Sequence, residues 1–253
     1  MIAGISIVNI IILFTSAAFT SVISAVTGMG GGIVFLSILT FFLPLTALVP
    51  IHGSVQLISN STRAYLLRKN IKWQFVIHYA LGAPIGAAFA TILLKDQISS
   101  GFPLLIIAVT IFYSIFRPKK LPALDLPAKG FILVGIVSGV LSILCGATGP
   151  FLAPFFIRTD FKKEQIVATK ASFQLLAHLL KIPAFLYLNF PYFKFLPLIM
   201  LLSLAAILGT KYGIKILSFL PEKAFFIIFK LILFIAGLRV AYKAFYLLTE
   251  NIK

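Results

Sequence analysis

The sequence predicts an all-α, polytopic membrane protein built from two inverted repeats of about five apolar segments each, with two short broken half-helices. Three observations predict this fold. The 253 residues are 60% hydrophobic and only 11% charged, apolar runs of membrane-spanning length recur along the chain, and the halves share their most unusual residues at one offset. So few charged residues cannot cover the surface of a soluble domain of this length, and the mean hydropathy of +1.09 agrees.

Apolar runs make up most of the chain. Those that reach or approach the roughly 20 residues needed to cross a bilayer are Gly4–Val26, Phe75–Leu94, Phe102–Phe116, Phe131–Leu144, Phe195–Ala206 and Phe225–Leu238. The first run lacks a basic region before it and a small-residue cleavage site, so we interpret it as a membrane helix and not as a signal peptide. The single cysteine, Cys145, excludes an intramolecular disulfide and a cysteine-based metal cluster.

Polar and glycine-rich breaks divide each half into five segments. The breaks are Gly28–Gly32, Pro44, Arg68–Lys72, Lys95–Ser100 and Arg117–Lys129, then Gly146–Pro150, Arg158–Lys163, Asn189–Lys194 and Lys215–Lys223. If all ten segments cross, twelve loop cations lie on one side and four on the other, which favours a cytoplasmic basic side with both termini outside. Gly30–Leu43 and Gly149–Ile157 are too brief for comfortable spans, so we expect half-helices inside the protein. If the two short segments re-enter instead of crossing, ten loop cations lie on one side and six on the other, which is a weaker bias. The sequence leaves both arrangements open.

The chain repeats itself at an offset of 118 residues. Matched pairs are Gly28 with Gly146, Gly31 with Gly149, Ser54–Leu57 with Ser172–Leu175, His52 with Lys170, and Arg63 with Lys181. We therefore assign residues 1–120 to a first membrane repeat and 121–253 to a second, within one integrated transmembrane domain. An odd number of segments per half inverts the second repeat, and inverted repeats with broken helices are typical of secondary transporters. A duplicated structural bundle without transport is the alternative.

Two polar stripes occupy equivalent places in the repeats. The stretch HGSVQLISNSTR carries His52, Gln56, Asn60 and Arg63 within about 80° of one another on a helix, and KASFQLLAHLLK carries Lys170, Gln174, His178 and Lys181 in the same way. Such groups are costly in hydrocarbon and should face a cavity or one another. Two other interpretations stay open: Arg63 extends to the membrane interface, or the glutamines and histidines only join helices by hydrogen bonds.

The sign of the embedded charges predicts an anionic substrate. All six acids lie in loops, at segment edges or near the C-terminus, whereas the charges inside segments are basic, with Lys211, Lys230 and Arg239 as further candidates. The glycine breaks fit an anion site, because each precedes a short helix whose N-terminal N–H groups would point at the break. Besides the eight stripe residues, the candidate substrate-binding residues are Thr27, Gly28, Gly30, Gly31, Gly32, Gly146, Thr148 and Gly149. No catalytic residue, metal ligand or cofactor is predicted.

These residues resemble the sulfite exporter TauE/SafE family, also called the toluene-sulfonate uptake permease family. The likeness covers nearly the whole chain: its length, its duplicated halves, and a glycine-rich segment followed by a polar-faced helix, with TGMGGG at Thr27–Gly32 as the closest match. The resemblance implies an integral membrane carrier of sulfite, sulfonates or other small organic anions. We expect a multi-pass protein of the prokaryotic plasma or inner membrane.

Efflux by alternating access is the favoured function, because an inside-negative potential drives anions outward with ~2.3 kcal/mol per charge per 100 mV. Proton-coupled uptake is the runner-up, with His52, His78 and His178 as proton carriers. A membrane-embedded enzyme lacks support, since neither H-E-x-x-H nor G-x-S-x-G occurs; an accessory subunit is a third option. The expected partners are a small anion and the lipid bilayer. Nucleic acid is not expected, because the net charge of +16 resides mostly in the loops. A homo-oligomer is left open.

Overall fold

The part of the chain that the structure describes is helical and contains no strand. The computed structural model describes residues 4–27, 30–95, 101–116, 124–156 and 160–216, with 234, 237–238, 240–242 and 244–249. The helices are α1 (Ile7–Thr27), α2 (Gly31–Leu39), α3 (Leu45–Leu66), α4 (Trp73–Leu94), α5 (Gly101–Phe116), α6 (Phe131–Cys145), α7 (Gly149–Leu152), α8 (Lys163–Tyr187) and α9 (Tyr192–Ile216). Short 3₁₀ turns occupy Arg68–Asn70, Ala128–Gly130 and Ala153–Phe156.

Several predicted membrane segments are confirmed as long apolar helices. Within the described residues, the helices long and apolar enough to cross a bilayer are Ile7–Val26, Trp73–Leu94, Ala128–Cys145 and Tyr192–Lys215. The predicted run Phe102–Phe116 forms α5, which has 16 residues. The run Phe225–Leu238 lies mostly outside the described residues. The prediction of an all-helical membrane protein therefore holds, while the number of crossings and the inversion of the halves stay predictions.

The two glycine breaks lead into short helices, as the sequence predicts. Helix α2 has nine residues, which is about 14 Å. Helix α7 has four residues and continues as a 3₁₀ turn. Neither is long enough to cross a hydrocarbon layer of about 30 Å. Whether the surrounding segments re-enter the same side stays a prediction.

The order of elements and their packing both repeat. Helices α1 to α4 and α6 to α9 follow the same order: an apolar helix, a short helix, a polar-faced helix and another apolar helix. The strongest helix pairs are α4 with α6, α1 with α9 and α3 with α8. When each helix is replaced by its equivalent in the other repeat, α4–α6 becomes α9–α1 and α3–α8 becomes itself. In the same way, the contact α3–α9 becomes α8–α4, which is also present. This correspondence supports the duplication, and it places α3 and α8 together between the two flanking pairs.

Glycines spaced four residues apart bring the flanking helices into close contact. A Cβ at Gly82 or Gly86 of α4 would overlap the carbonyl oxygen of Ile132 or Ile136 of α6. The reverse holds for Gly135 and Gly139 of α6 against α4, and Gly209 of α9 meets the Ala18 carbonyl of α1. Small residues at such positions let membrane helices pack backbone to backbone. The α4–α6 and α1–α9 pairs therefore leave no room for side chains at these contacts.

Aromatic and polar contacts fix the start of α4 against α8. Tyr79 stacks on Phe173 with ring centroids 4.1 Å apart and shares a 2.6 Å hydrogen bond with Ser138.

Trp73, the single tryptophan of the sequence, is 58% exposed at the first residue of the candidate span. An exposed indole at the end of a span is typical of the membrane interface.

Candidate substrate-binding site

The two polar stripes are buried against each other in the α3–α8 pair. The fully or nearly fully buried members are His52, Gln56, Asn60, Arg63, Lys170, His178 and Lys181, and Gln174 is half-buried. Arg63 is 1% exposed, so the guanidinium does not extend to the surface as the snorkelling interpretation requires. By contrast, Lys211 lies on the exposed side of α9, and Lys230 and Arg239 lie outside the described residues.

A pocket lies where α3 and α8 meet the two glycine breaks. It is lined by Ser24, Gly30, Gly32, Ile33, His52 and Gln56 from the first half and by Ala147, Gly149, Pro150, Gln174 and His178 from the second. The lining combines amides, imidazoles, a hydroxyl and glycine backbone. The pocket has room for about one water molecule, so in this conformation it is closed to a larger anion.

In each half, one glutamine lies against a glycine of the break in the same half. A Cβ built on Gly32 would lie 3.5 Å from Gln56 Oε1, and one built on Gly149 would lie 3.5 Å from Gln174 Nε2. The absence of side chains at these glycines leaves the amide groups accessible from the pocket. The structure therefore brings together Gln56 and Gln174, which the sequence singled out at equivalent positions.

Hydrogen bonds attach His52 directly, and His178 through Lys181, to the glycine breaks. His52 Nε2 lies 2.8 Å from the Gly32 carbonyl oxygen. A carbonyl only accepts, so this nitrogen carries the proton and donates. The Lys181 ammonium donates to the Gly146 carbonyl at 2.5 Å and lies 3.0 Å from His178 Nδ1. The two imidazole rings meet edge to face with centroids 5.6 Å apart.

The glycines and threonines of the breaks have different positions. Gly30 and Gly146 adopt positive φ angles of 90° and 76°, a region that glycine adopts without steric cost. A Cβ at Gly31 would overlap the Thr20 carbonyl and Ser24 Oγ of α1, so Gly31 packs against a helix and does not line the pocket. Thr148 is buried at the start of α7. Thr27 ends α1; its side chain, together with Gly28, lies outside the described residues.

The rest of the α3 stripe extends away from the pocket. Asn60 Nδ2 donates to the Gln56 carbonyl at 2.8 Å, and Arg63 Nη1 donates to Asn60 Oδ1 at 3.3 Å. On α8, the Lys170 ammonium lies 6.0 Å from the Phe156 ring centroid. The acids of the described residues are Asp125, Asp160 and Glu164, and all three are exposed. None of them pairs with the buried cations Arg63 and Lys181.

Ser24 is a pocket residue that the sequence interpretation omits. It lies on α1 and is 4% exposed. The repeat contains the signal that identifies it, because at the offset of 118 residues Ser24 matches Ser142. Ser142 is also buried and donates to the Ala177 carbonyl at 3.0 Å. Hydroxyls at equivalent places in two apolar helices therefore mark the faces turned toward the polar pair.

Comparison with known protein families gives a match over most of the chain. The profile of the sulfite exporter TauE/SafE family matches residues 13–240, which is most of the chain and includes α2 to α9. The chain belongs to the TauE/SafE family. No curated protein sequence and no solved structure matches it. Since this family consists of membrane transporters, the TauE/SafE protein described here is an integral membrane transporter of the sulfite exporter class, with a small anion as its substrate class.

Proposed function

We propose that this TauE/SafE protein moves sulfite, sulfonates or similar small organic anions out of the cell by alternating access, and that the pocket between α3 and α8 binds them. The observation that carries the proposal is that Gln56 and Gln174, one from each half, line the same pocket. Helices on either side of such a pocket move relative to each other when inverted repeats rock.

The pocket chemistry favours an oxyanion. The glutamine amides and the glycine backbone N–H groups can donate hydrogen bonds to an oxyanion, whereas the His52 N–H is already engaged by the Gly32 carbonyl. No carboxylate lines the described pocket, so a metal cation would have no charged oxygen ligand there. Lys181 stands next to the pocket through His178 and contributes positive charge without occupying the pocket itself.

The small closed pocket fits the occluded state of a carrier that works by alternating access. Room for about one water molecule does not admit sulfite, so the pocket has to widen toward one side before substrate enters. Efflux follows from the charge of the substrate, because the inside-negative potential of a cell membrane drives anions outward. The substrate anion then needs no coupling ion.

The test is flux of labelled sulfite, sulfate and methanesulfonate in proteoliposomes under an imposed potassium diffusion potential. We expect saturable efflux that increases with inside-negative potential in the wild type. The double variant Gln56→Ala with Gln174→Ala should lose at least about tenfold in flux, since each amide hydrogen bond to a charged group contributes about 1.5–3 kcal/mol. Gln74→Ala is the matched control, because Gln74 is exposed at the start of α4.

Proton-coupled uptake is the second candidate, favoured by the Lys181–His178–His52 cluster. Nδ1 of His52 is buried without a hydrogen-bond partner among the described residues, so it is a vacant proton-accepting site. A pH gradient imposed without a potential separates the two mechanisms. Accumulation of anion driven by the gradient alone, together with insensitivity to potential, would replace efflux by uptake.

A further inference from the structure

The guanidinium of Arg63 has one side engaged and the other unpaired. Its Nη1 donates to Asn60 Oδ1, whereas Nε and Nη2 are both buried and have no hydrogen-bond partner among the described residues. Nε and Nη2 form the edge with which arginine binds two oxygens of one carboxylate, sulfonate or phosphate at once. Buried donors of a charged group are rarely left unpaired, because their desolvation is costly.

The equivalent cation of the second half is engaged differently. Lys181, which matches Arg63 in the repeat, donates to the Gly146 carbonyl and contacts His178. The second-half cation therefore closes onto its own glycine break, while the first-half cation keeps a donor edge. This asymmetry assigns different tasks to two residues that occupy equivalent places.

The guanidinium of Arg63 is held about one turn of α3 from Gln56, which lines the pocket. Through its bond to Asn60, the guanidinium is held at the level of Asn60, which is one turn of α3 beyond Gln56, or about 6 Å along the axis. The Asn60 side chain also donates to the backbone carbonyl of Gln56. Farther along the same chain lie the exposed cations Arg68 and Lys69, on the side predicted to be cytoplasmic.

We propose that the Nε–Nη2 edge of Arg63 is a second anion station, between the glutamine pocket and the basic end of α3. It takes two oxygens of one centre, and so selects sulfonate, sulfite or carboxylate groups over monatomic anions. This proposal rests on the proposed transport function and adds the residue that discriminates between anions. The anion reaches the glutamine pocket by way of this edge during efflux.

The first test is Arg63→Lys, which keeps the charge and removes the two-donor edge. Methanesulfonate binding is measured by titration calorimetry on detergent-purified protein, and chloride and methanesulfonate are compared as inhibitors of sulfite flux. Arg63→Lys should weaken methanesulfonate binding at least about tenfold and leave inhibition by chloride nearly unchanged. Lys211→Gln, which removes an exposed cation of α9, should behave as the wild type.

A second variant keeps the arginine in place. Asn60→Asp puts a carboxylate next to Nη1, so the fold gains a counter-charge while the site loses its net positive charge. The protein should remain folded, as judged by gel filtration and thermal unfolding, and bind methanesulfonate at least about tenfold more weakly. Repulsion by the new carboxylate weakens chloride and methanesulfonate alike, so a loss larger for methanesulfonate than for chloride assigns the effect to the two-donor edge of Arg63, and an equal loss of both would overturn that assignment.

Three outcomes have distinct meanings. Wild-type affinity in both Arg63→Lys and Asn60→Asp would overturn the second station while leaving the proposed function intact. Absence of anion binding and flux in the wild type would overturn the proposed function itself. Displacement of methanesulfonate by added phosphatidylglycerol would assign the edge to a lipid phosphate and overturn its role in transport.

Discussion

At the residue scale, the adjacent glycines Gly31 and Gly32 differ in whether the fold has room for a side chain. Gly31→Ala would force a Cβ onto the Thr20 carbonyl of α1, and such overpacking costs about 1–3 kcal/mol. Gly32→Ala would place its Cβ at an ordinary 3.5 Å from Gln56 Oε1, so the protein should fold and lose pocket space. We expect Gly31→Ala to lower the thermal unfolding temperature in detergent, and Gly32→Ala to keep that temperature and lose most anion flux.

Gly149→Ala makes the corresponding test in the second half, although in the repeat Gly149 matches Gly31 and not Gly32. Its Cβ would lie 3.5 Å from Gln174 Nε2, so it too should fold and lose flux. Full activity of both Gly32→Ala and Gly149→Ala, with normal unfolding temperatures, would contradict a substrate position between the glutamines.

The residues of the site could be predicted only in part. The helical spacing of His52, Gln56 and Arg63 was enough to predict one buried face. The bond from Lys181 to the Gly146 carbonyl was not predictable, because it depends on how α8 passes the α6–α7 break in three dimensions. The different roles of Gly31 and Gly32 were not predictable either, because the two glycines differ only in the atoms that the fold places against them.

At the scale of elements, apolar runs located the helices better than they located the helix ends. The predicted run Phe195–Ala206 covers only part of the first 15 residues of α9, which extends from Tyr192 to Ile216. Polar residues such as Thr210 lie beyond the run, and Thr210 is fully buried and shares a hydrogen bond with Ser59 of α3 at 3.0 Å. Hydrophobicity records the lipid-facing side of a helix, whereas the helix continues wherever neighbouring helices accept its polar groups.

The contact between α4 and α6 gives a prediction about an element pair. Gly86→Leu should separate the two backbones, since even a Cβ at this position overlaps the Ile136 carbonyl. We expect a loss of about 3 kcal/mol or more, seen as a lower yield of monodisperse protein and a lower unfolding temperature. Ala88→Leu is the control, because Ala88 lies on the exposed face of the same helix; equal damage from both would argue against close glycine packing.

At the scale of the whole molecule, the inversion of the repeats can be tested by the sidedness of two introduced cysteines. Helices α4 and α9 hold equivalent places in the repeats, and inversion requires their first residues to lie on opposite sides. Lys69 and Lys194 are exposed just before α4 and in the first turn of α9. In intact bacterial cells, an impermeant maleimide should label Lys194→Cys and leave Lys69→Cys unlabelled.

The background for this experiment is favourable, because the single native thiol, Cys145, is buried. Lys69→Cys should become labelled once the cells are permeabilised, which shows that the introduced thiol is accessible. Labelling of both variants in intact cells would place the two helix starts on the same side and exclude an inverted arrangement of α4 and α9.

Trp73 gives the molecule a built-in fluorophore. It is the single tryptophan of the chain and stands exposed where α4 begins, next to the tightly joined α6. Indole emission from this protein therefore comes from one position in the fold, and brominated lipids can report its depth in the bilayer through quenching. Any tilt of the α4–α6 pair during turnover changes the distance between the indole and the bromine atoms, so the movement of one half can be followed optically in the unmodified chain.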